Sequence, residues 1–295
     1  MIKYSRWFTA YDQAEKKRTV KKTFLEKDIM QTTLPFFPED KALHVTLAAQ
    51  TQAVERVIQV MHTHLHDVLT LEDLASVAYL SPSHFHHVFR RLIGIPPGAF
   101  LAALRLQTAR RLLLTTSLSV TDICFEVGYT SVGSFTSRFT HLVGLSPRLL
   151  RQRAYAFEPS SQEPIEHRPM PSTGLPEKHI LRGSIIAPET FQGTIYVGLF
   201  TSPIPQGRPV RCTTLHSPDV YLLHGIADGV YYLRAAAFPV AADLHSSLLP
   251  GGKLLLGNNE SPLVIRQGQI VGNPDLVLHP PRLTDPPLVM GLPLL

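Results

Sequence analysis

The chain has 295 residues, a formal net charge of +5 and two cysteines, so it is long enough for two domains and cannot be a disulfide scaffold or a four-cysteine zinc protein. Hydrophobic residues make up 44% and charged residues 17%, which supports a buried core and argues against a disordered chain. No apolar run approaches the ~18 residues that a membrane helix needs.

The opening MIKYSRWFTAYDQAEKKRTV lacks an apolar core of the signal-peptide kind, so a soluble cytoplasmic protein with no membrane contact is expected. Charge is uneven. Residues 1–46 carry +3, residues 47–153 carry +4 and residues 154–295 carry −2. All ten cations of the middle segment are Arg, whose planar donor fork suits phosphate and guanine edges. The excess is modest, and an ordinary solvated surface accounts for it equally well. Residues 1–46 read as a basic extension, either an untethered tail or an arm that contacts DNA.

Val54, Val57, Ile58, Met61 and Leu65 recur at helical spacing, which predicts an amphipathic helix over Thr51–Leu65. Thr70, followed by Asp73 three residues later, signals the cap of a short helix. Ser81-Pro82 breaks that helix and starts another, with Phe85, Val88, Phe89 and Leu92 on one face and an end near Gly94. A long helix follows Pro96-Pro97: Phe100, Leu104, Leu112 and Leu113 suit a buried stripe, while Arg105, Arg110 and Arg111 are expected to reach outward.

The pattern then returns about fifty residues later. Leu74 matches Ile123, Ala75 matches Cys124, and after one extra turn residue Phe85 matches Phe135, Phe89 matches Phe139 and Gly94 matches Gly144. Each copy reads as short helix, tight turn, second helix. The small residues Ala75 and Cys124 let the two helices cross closely, the sequence form of a helix-turn-helix. Cys124 at such a crossing is expected to be an inert core thiol.

The second copy, ICFEVGYTSVGSFTSRFTHLVGLSPRLLR, resembles the conserved region of the AraC/XylS family of bacterial transcription regulators through Ile123, Cys124, Val127, Gly128, Tyr129, Ser131, Phe135, Phe139, Gly144, Pro147 and Arg151. The connecting ARRLLLTTS is similar to the family's linker helix, and the resemblance covers roughly Leu47–Arg153. Leu150 departs from it, standing where the family usually has an aromatic residue, which loosens the last helix. The resemblance implies a sequence-specific DNA-binding transcription factor and not an enzyme. One chain would read an asymmetric target, its two recognition helices in adjacent major-groove segments ~34 Å apart.

On that resemblance, base-edge contacts fall to Ser83, His86 and His87 of the first recognition helix and to Val132, Gly133, Ser134, Ser137 and Arg138 of the second. Imidazole donates to or accepts from guanine N7 and O6, and Val132 can touch a thymine methyl. Arg90, Arg91, Arg148 and Arg151 are the phosphate candidates. His84, beside Phe85, is expected to fill space. The second helix, with small outward residues, should contribute more docking than discrimination.

His62 and His66 lie four apart and His84 and His87 three apart, the spacing of two zinc ligands on one helix face. No HExxH and no acidic or cysteine partner completes either pair, so no metal and no cofactor is expected.

Phe157–Lys178, rich in Pro, Ser and Glu, reads as an extended linker. From His179 the period changes to two: HILRGSII, TIYVGLFT, VRCTTLH, VYLLHGI, GVYYLRAAAF, PLVIRQGQIV and DLVLHPP are strands between Gly, Pro, Asn and Asp turns. A small antiparallel β-sandwich is expected, and the IADG turn followed by YYL resembles prealbumin-like, carboxypeptidase regulatory-like domains. Asp243–Glu260 reads as a loop. The whole is thus an α + β multi-domain chain: extension 1–46, an all-α double helix-turn-helix domain 47–156, linker 157–178 and β-sandwich 179–295. The implied partners are double-stranded DNA and RNA polymerase, with a small-molecule effector or a protein contact left open for the sandwich. The rival class is a non-enzymatic interaction protein with a degenerate helix-turn-helix. An enzyme with a site in the sandwich is a weaker rival, since no GxSxG, paired acidic motif or phosphate loop stands out.

Overall fold

The structure, a computed structural model, describes residues 39–156, 180–188, 191–240, 253–259 and 261–290. Residues 1–38 of the basic extension and the linker expected at 157–178 lie outside the described residues. Among the described residues seven helices are followed by nine strands: α1 Glu39–Thr63, α2 Leu71–Val77, α3 Pro82–Ile93, α4 Pro97–Thr115, α5 Val120–Glu126, α6 Val132–Val143 and α7 Pro147–Ala156, then β1 Leu181–Ile186 to β9 Leu276–Val277. α1 begins well before Thr51, so the position 46/47 lies inside a helix. Among the described residues no helix is long and apolar enough to cross a membrane.

Two compact units divide the chain. One takes the described residues up to His64 together with Val68–Ala102, and the other takes Leu65–Asp67 and everything from Ala103. In the first, Val54, Val57, Ile58 and Met61 of α1 are buried with Leu74 and Ala75 of α2 and Phe85, Val88, Phe89 and Ile93 of α3. The ring of Phe89 packs edge-on against Phe85 at 5.6 Å and against Phe100 at 5.7 Å. Each such side chain contributes roughly 1.5–3 kcal/mol by leaving water.

The second unit repeats this plan with its own core. Ile123 and Cys124 of α5 and its C-cap Val127 are buried with Phe135, Phe139, Leu142 and Val143 of α6. Phe135 sits between Tyr129 at 5.3 Å and Phe139 at 5.6 Å. Leu150 is buried on α7, so an aliphatic side chain fills the position where an aromatic was expected and the helix forms.

The long helix α4 departs from expectation. Arg111 is exposed, but Arg105 and Arg110 are buried. Arg105 donates to the Asp67 carbonyl at 2.8 Å, which satisfies part of its fork inside the protein. Arg110 donates to the carbonyl of Met290, and burial pulls its pKa down to about 10. Both guanidiniums therefore hold chain segments distant in sequence against α4 instead of facing solvent.

The same unit carries the β-sandwich. A three-stranded sheet has the order β4-β1-β9, with β4 Val220–Leu223. A larger sheet, built from β2 Gly193–Phe200, β3 Arg211–Leu215, β5 Gly229–Pro239, β6 Leu255–Asn258, β7 Leu263–Arg266 and β8 Gln269–Val271, has the order β3-β2-β5-β7-β8, with β6 also on β5. Leu181, Tyr221, Leu223 and Leu276 from the small sheet share one core with Ile195, Val197, Leu233 and Leu263 from the large one.

Three details correct the expected sandwich. The β1–β9 pair is parallel. PLVIRQGQIV is a hairpin, β7 Leu263–Arg266 and β8 Gln269–Val271, turning at Gln267 and Gly268 with positive φ. Within the stretch read as a loop, Leu255–Asn258 forms β6 against β5 Gly229–Pro239, with Ala235 opposite Gly257. Its Gly and Asn mimic a turn signal, yet pairing with a long buried strand satisfies its backbone.

Candidate nucleic-acid interface

The two helix pairs agree down to single hydrogen bonds. Thr70 caps α2 by accepting from the Asp73 N–H, while the Asp73 carboxylate accepts from the Thr70 N–H at 2.9 Å. Ser119 and Asp122 do the same for α5. In the first turn the N–H groups of Tyr79 and Leu80 donate to Ser76 and Ala75. In the second, Gly128 and Tyr129 donate to Phe125 and Cys124. The turn residue is left-handed in both, at φ 56° for Tyr79 and 80° for Gly128. Ser81 and Ser131 then cap α3 and α6, and both helices end on a left-handed glycine, Gly94 and Gly144. Side-chain caps and αL ends of this kind fix where each second helix starts and stops.

That framework sets which positions face water. On α3, Ser83, His84, His87 and Arg91 are exposed. The positions fifty residues on, Gly133, Ser134, Ser137 and His141, are exposed on α6. His86 and its counterpart Thr136 are half-buried. His84 thus does not fill space. Its backbone N–H donates to the Ser81 hydroxyl and its ring belongs to the outward row. The His86 and His87 rings lie edge to face with centroids 6.1 Å apart. The sandwich touches the end of α6, where the Gly207 N–H donates to the Leu142 carbonyl at 2.7 Å, yet Gly133, Ser134 and Ser137 remain exposed.

The remaining candidates divide. Val132 is half-buried at the start of α6, and Arg138 is half-buried beside Tyr129. Burial pushes the Tyr129 hydroxyl pKa up, and the neighbouring Arg138 charge opposes that shift. Arg90 is half-buried, Arg148 exposed, and exposed Arg91 donates to the Gln50 side chain. Arg151 is engaged elsewhere: it donates to the carbonyls of Leu113 at 3.1 Å and Thr116 at 3.3 Å, at the C-terminal end of α4. A cation there complements the helix dipole and occupies orphan carbonyls, a structural task that competes with phosphate contact. Arg153, exposed on α7, was not among the phosphate candidates, although a count of charge alone points to it.

Cys124 is fully buried, with burial raising its thiol pKa, so it is a packing residue. α1 ends at Thr63, which takes His66 off the helix face it would need to share with His62. Among the described residues no group of three His, Cys, Asp or Glu side chains converges as a metal site.

Comparison with known proteins finds relatives of the helical part of the chain. A helix-turn-helix domain family model matches residues 74–153. The chain is 31% identical over 102 residues to the transcriptional activator AarP of Providencia stuartii, covering 35% of this chain and 76% of that protein. It is 32% identical over 99 residues to the helix-turn-helix regulator YobQ of Bacillus subtilis, there covering 34% of this chain and 41% of the relative. A solved AraC-type regulator from Chromobacterium violaceum aligns at 25% identity and a TM-score of 0.34, over 36% of this chain and 95% of that one. The chain thus spans under half the length of the Bacillus relative and about three quarters of AarP. With the duplicated caps, the matched turns, the family model over residues 74–153 and 31% identity over three quarters of AarP, this chain belongs to the AraC/XylS family of DNA-binding transcriptional regulators.

Proposed function

We propose that α3 and α6 enter two successive major-groove segments of one duplex and that a single chain reads an asymmetric site. The repetition supports this reading: the same positions on both helices are outward, and each is held by the same caps. Ser83, His86 and His87 take base edges on one side, joined by His84. Val132, Gly133, Ser134, Ser137 and Arg138 line the other. Arg90, Arg91 and Arg148 meet phosphate, whereas Arg151 serves mainly to hold α7 to α4. The protein acts in the cytoplasm as a regulator without enzymatic activity. It recruits or blocks RNA polymerase, and its sandwich, which resembles prealbumin-like domains, receives a small effector or a partner.

Selection of bound sequences from a random duplex library, followed by binding at graded salt, tests this. With three to five phosphate contacts the logarithm of the association constant should fall against log salt with a slope of about −3 to −5. His87→Ala should relax preference at one base pair, by ~1–3 kcal/mol of discrimination. Ser137→Ala should change affinity less and leave the consensus intact. No enriched sequence and no salt slope would instead favour the interaction-protein reading.

A further inference from the structure

Helix phase puts His84, His87 and Arg91 of α3 in one exposed stripe, spaced three and four residues apart. The same stripe on α6 holds Ser134, Ser137 and His141, also exposed. The two helices therefore differ in kind at matching positions: two imidazoles on one, two hydroxyls on the other. Imidazole changes charge near pH 6.5 in water, and a serine hydroxyl stays neutral there. No Asp or Glu stands on α3, whose other titratable groups are His86, Arg90 and Arg91. The elements packed against it add few charges. Among the described side chains α1 bears Glu55, Arg56 and His62, all exposed, and Arg56 lies over the Tyr79 ring. α2 bears Glu72 and Asp73, both exposed, with the Asp73 carboxylate taken up in its cap by Thr70. α4, which meets α3 through Phe100, bears only arginines as charges. α3 itself thus supplies no anion to hold a proton on either ring, whereas a bound duplex surrounds the stripe with phosphates.

We propose that His84 and His87 read guanine as imidazolium, so that base choice depends on pH in the half-site under α3 and not in the half-site under α6. This rests on the reading of α3 as a recognition helix. Neutral imidazole has one donor and one acceptor, and it accepts from the amino group of adenine or cytosine as readily as it donates to guanine. Imidazolium has two donors and no acceptor. In the major groove guanine presents two acceptors side by side, N7 and O6, so losing the acceptor nitrogen narrows the choice of base. The phosphates of the duplex favour the charged ring, because a nearby opposite charge raises the proton affinity of an imidazole. A group that holds its proton more tightly in the complex than in the free chain strengthens binding below its free pKa. That gain is lost as pH rises through the higher value in the complex. Affinity and guanine preference under α3 therefore fall together from pH 6 to pH 8. The Ser134 and Ser137 hydroxyls stay neutral throughout. His141 occupies the position of Arg91, a phosphate candidate, so a proton there adds affinity without base preference.

Selection from a random duplex library by the full chain at about pH 6 and about pH 8, at equal ionic strength, tests this. In one half of the selected site guanine should be favoured about fivefold or more over its level at the higher pH, and the other half should read alike at both. Binding to the duplex selected at the lower pH, followed by fluorescence anisotropy, should weaken about sixfold across that range for each ring whose proton affinity rises tenfold in the complex. The salt slope should be steeper at the lower pH by about 1 to 2. The double variant His84→Gln with His87→Gln keeps neutral donors and acceptors, so it should lose most of the pH dependence and select the same bases at both pH values. His141→Gln should keep the wild-type shift in base preference. A base preference that ignores pH, a shift confined to the other half, or a double variant as pH-dependent as wild type would overturn the proposal. Such results alongside specific, salt-dependent binding would sink this inference alone, whereas no enriched sequence and no salt slope at either pH would sink the recognition reading with it. Both rings are exposed and the wild-type selections need no substitution, so the outcome does not hang on the fold of a variant.

Discussion

The two helix-turn-helix units are copies of one backbone with different surroundings. Their caps, turn bonds and one aromatic pair, Phe85–Phe89 and Phe135–Phe139, coincide, yet the left-handed turn position carries Tyr79 in one and Gly128 in the other. Tyr79 is 86% exposed, with the Arg56 guanidinium 5.7 Å from its ring centroid. Gly128 is pressed against its own unit: a Cβ there would collide with the Leu65 carbonyl and lie 2.8 Å from Arg105 Nη2. The same φ is thus tolerated as mild strain where the side chain is in water and demands glycine where the backbone is crowded. A shared fold does not imply a shared tolerance to substitution.

Substituting the crowded turn breaks the comparison most sharply. Gly128→Ala combines a positive φ with overlap against a backbone carbonyl that cannot move aside. We expect a loss of ~2–4 kcal/mol, seen as a lower denaturant midpoint of the full chain. Arg105 would be displaced from the Asp67 carbonyl as well, so amide exchange should speed up around residues 65–67. A Gly128→Ala chain as stable as wild type would show that the close approach exerts no constraint.

The caps test the likeness instead of the difference. Thr70→Ala and Ser119→Ala each remove one half of a capping box and should cost about the same, ~1 kcal/mol each. Acid probes the first box separately. Hydrogen bonds from the Thr70 hydroxyl and N–H hold the Asp73 carboxyl below the ordinary carboxylate range. A carboxyl depressed in the folded state stabilises at pH values above its unfolded pKa, and that contribution is lost as pH falls through the lower folded value. Below about pH 4 the difference between wild type and Thr70→Ala should therefore shrink, as comparison of their denaturant midpoints across pH would reveal. A constant difference would place the stabilisation in the hydroxyl alone.

Much of this duplication is legible in the sequence because caps, left-handed glycines and apolar spacing are local signals. Thr70 with Asp73, Ser81 with Pro82, and Gly94 with Gly144 each announce their structure within a few residues. What escapes depends on distant partners. Ala103, Leu104, Arg105 and Leu106 are buried in succession, so α4 is covered all round there and helical periodicity cannot tell which side meets water. The Asp67 and Met290 carbonyls, distant in sequence from Arg105 and Arg110, help explain why two arginines lie inside. The bonds of Arg151 escape for the same reason, because its acceptors lie on α4 and just beyond its end. The exposed rows of α3 and α6 follow from helix phase. His84 departs from expectation because adjacency to Phe85 in sequence says little about sharing its face. The parallel β1–β9 pair joins strands some ninety residues apart and leaves no local mark.

The smallest effect sharpens the comparison most. Tyr79→Gly gives the first turn the residue that the second requires. It relieves a left-handed tyrosine, a gain of ~1 kcal/mol. Two terms oppose it: glycine costs ~0.4–1 kcal/mol through the freedom of the unfolded chain, and the exposed cation–π pairing with Arg56 is worth ~0.5–1 kcal/mol. The terms nearly cancel, so the full chain should unfold within ~0.5 kcal/mol of wild type. Tyr79→Asn keeps more of the left-handed preference at a smaller entropic cost and should lie at or slightly above the glycine variant. If Tyr79→Gly instead destabilised the chain by about 2 kcal/mol or more, the size of effect expected when a buried side chain is truncated, the tyrosine would be holding the first unit together through its ring. The two turns would then differ in architecture and not only in surroundings.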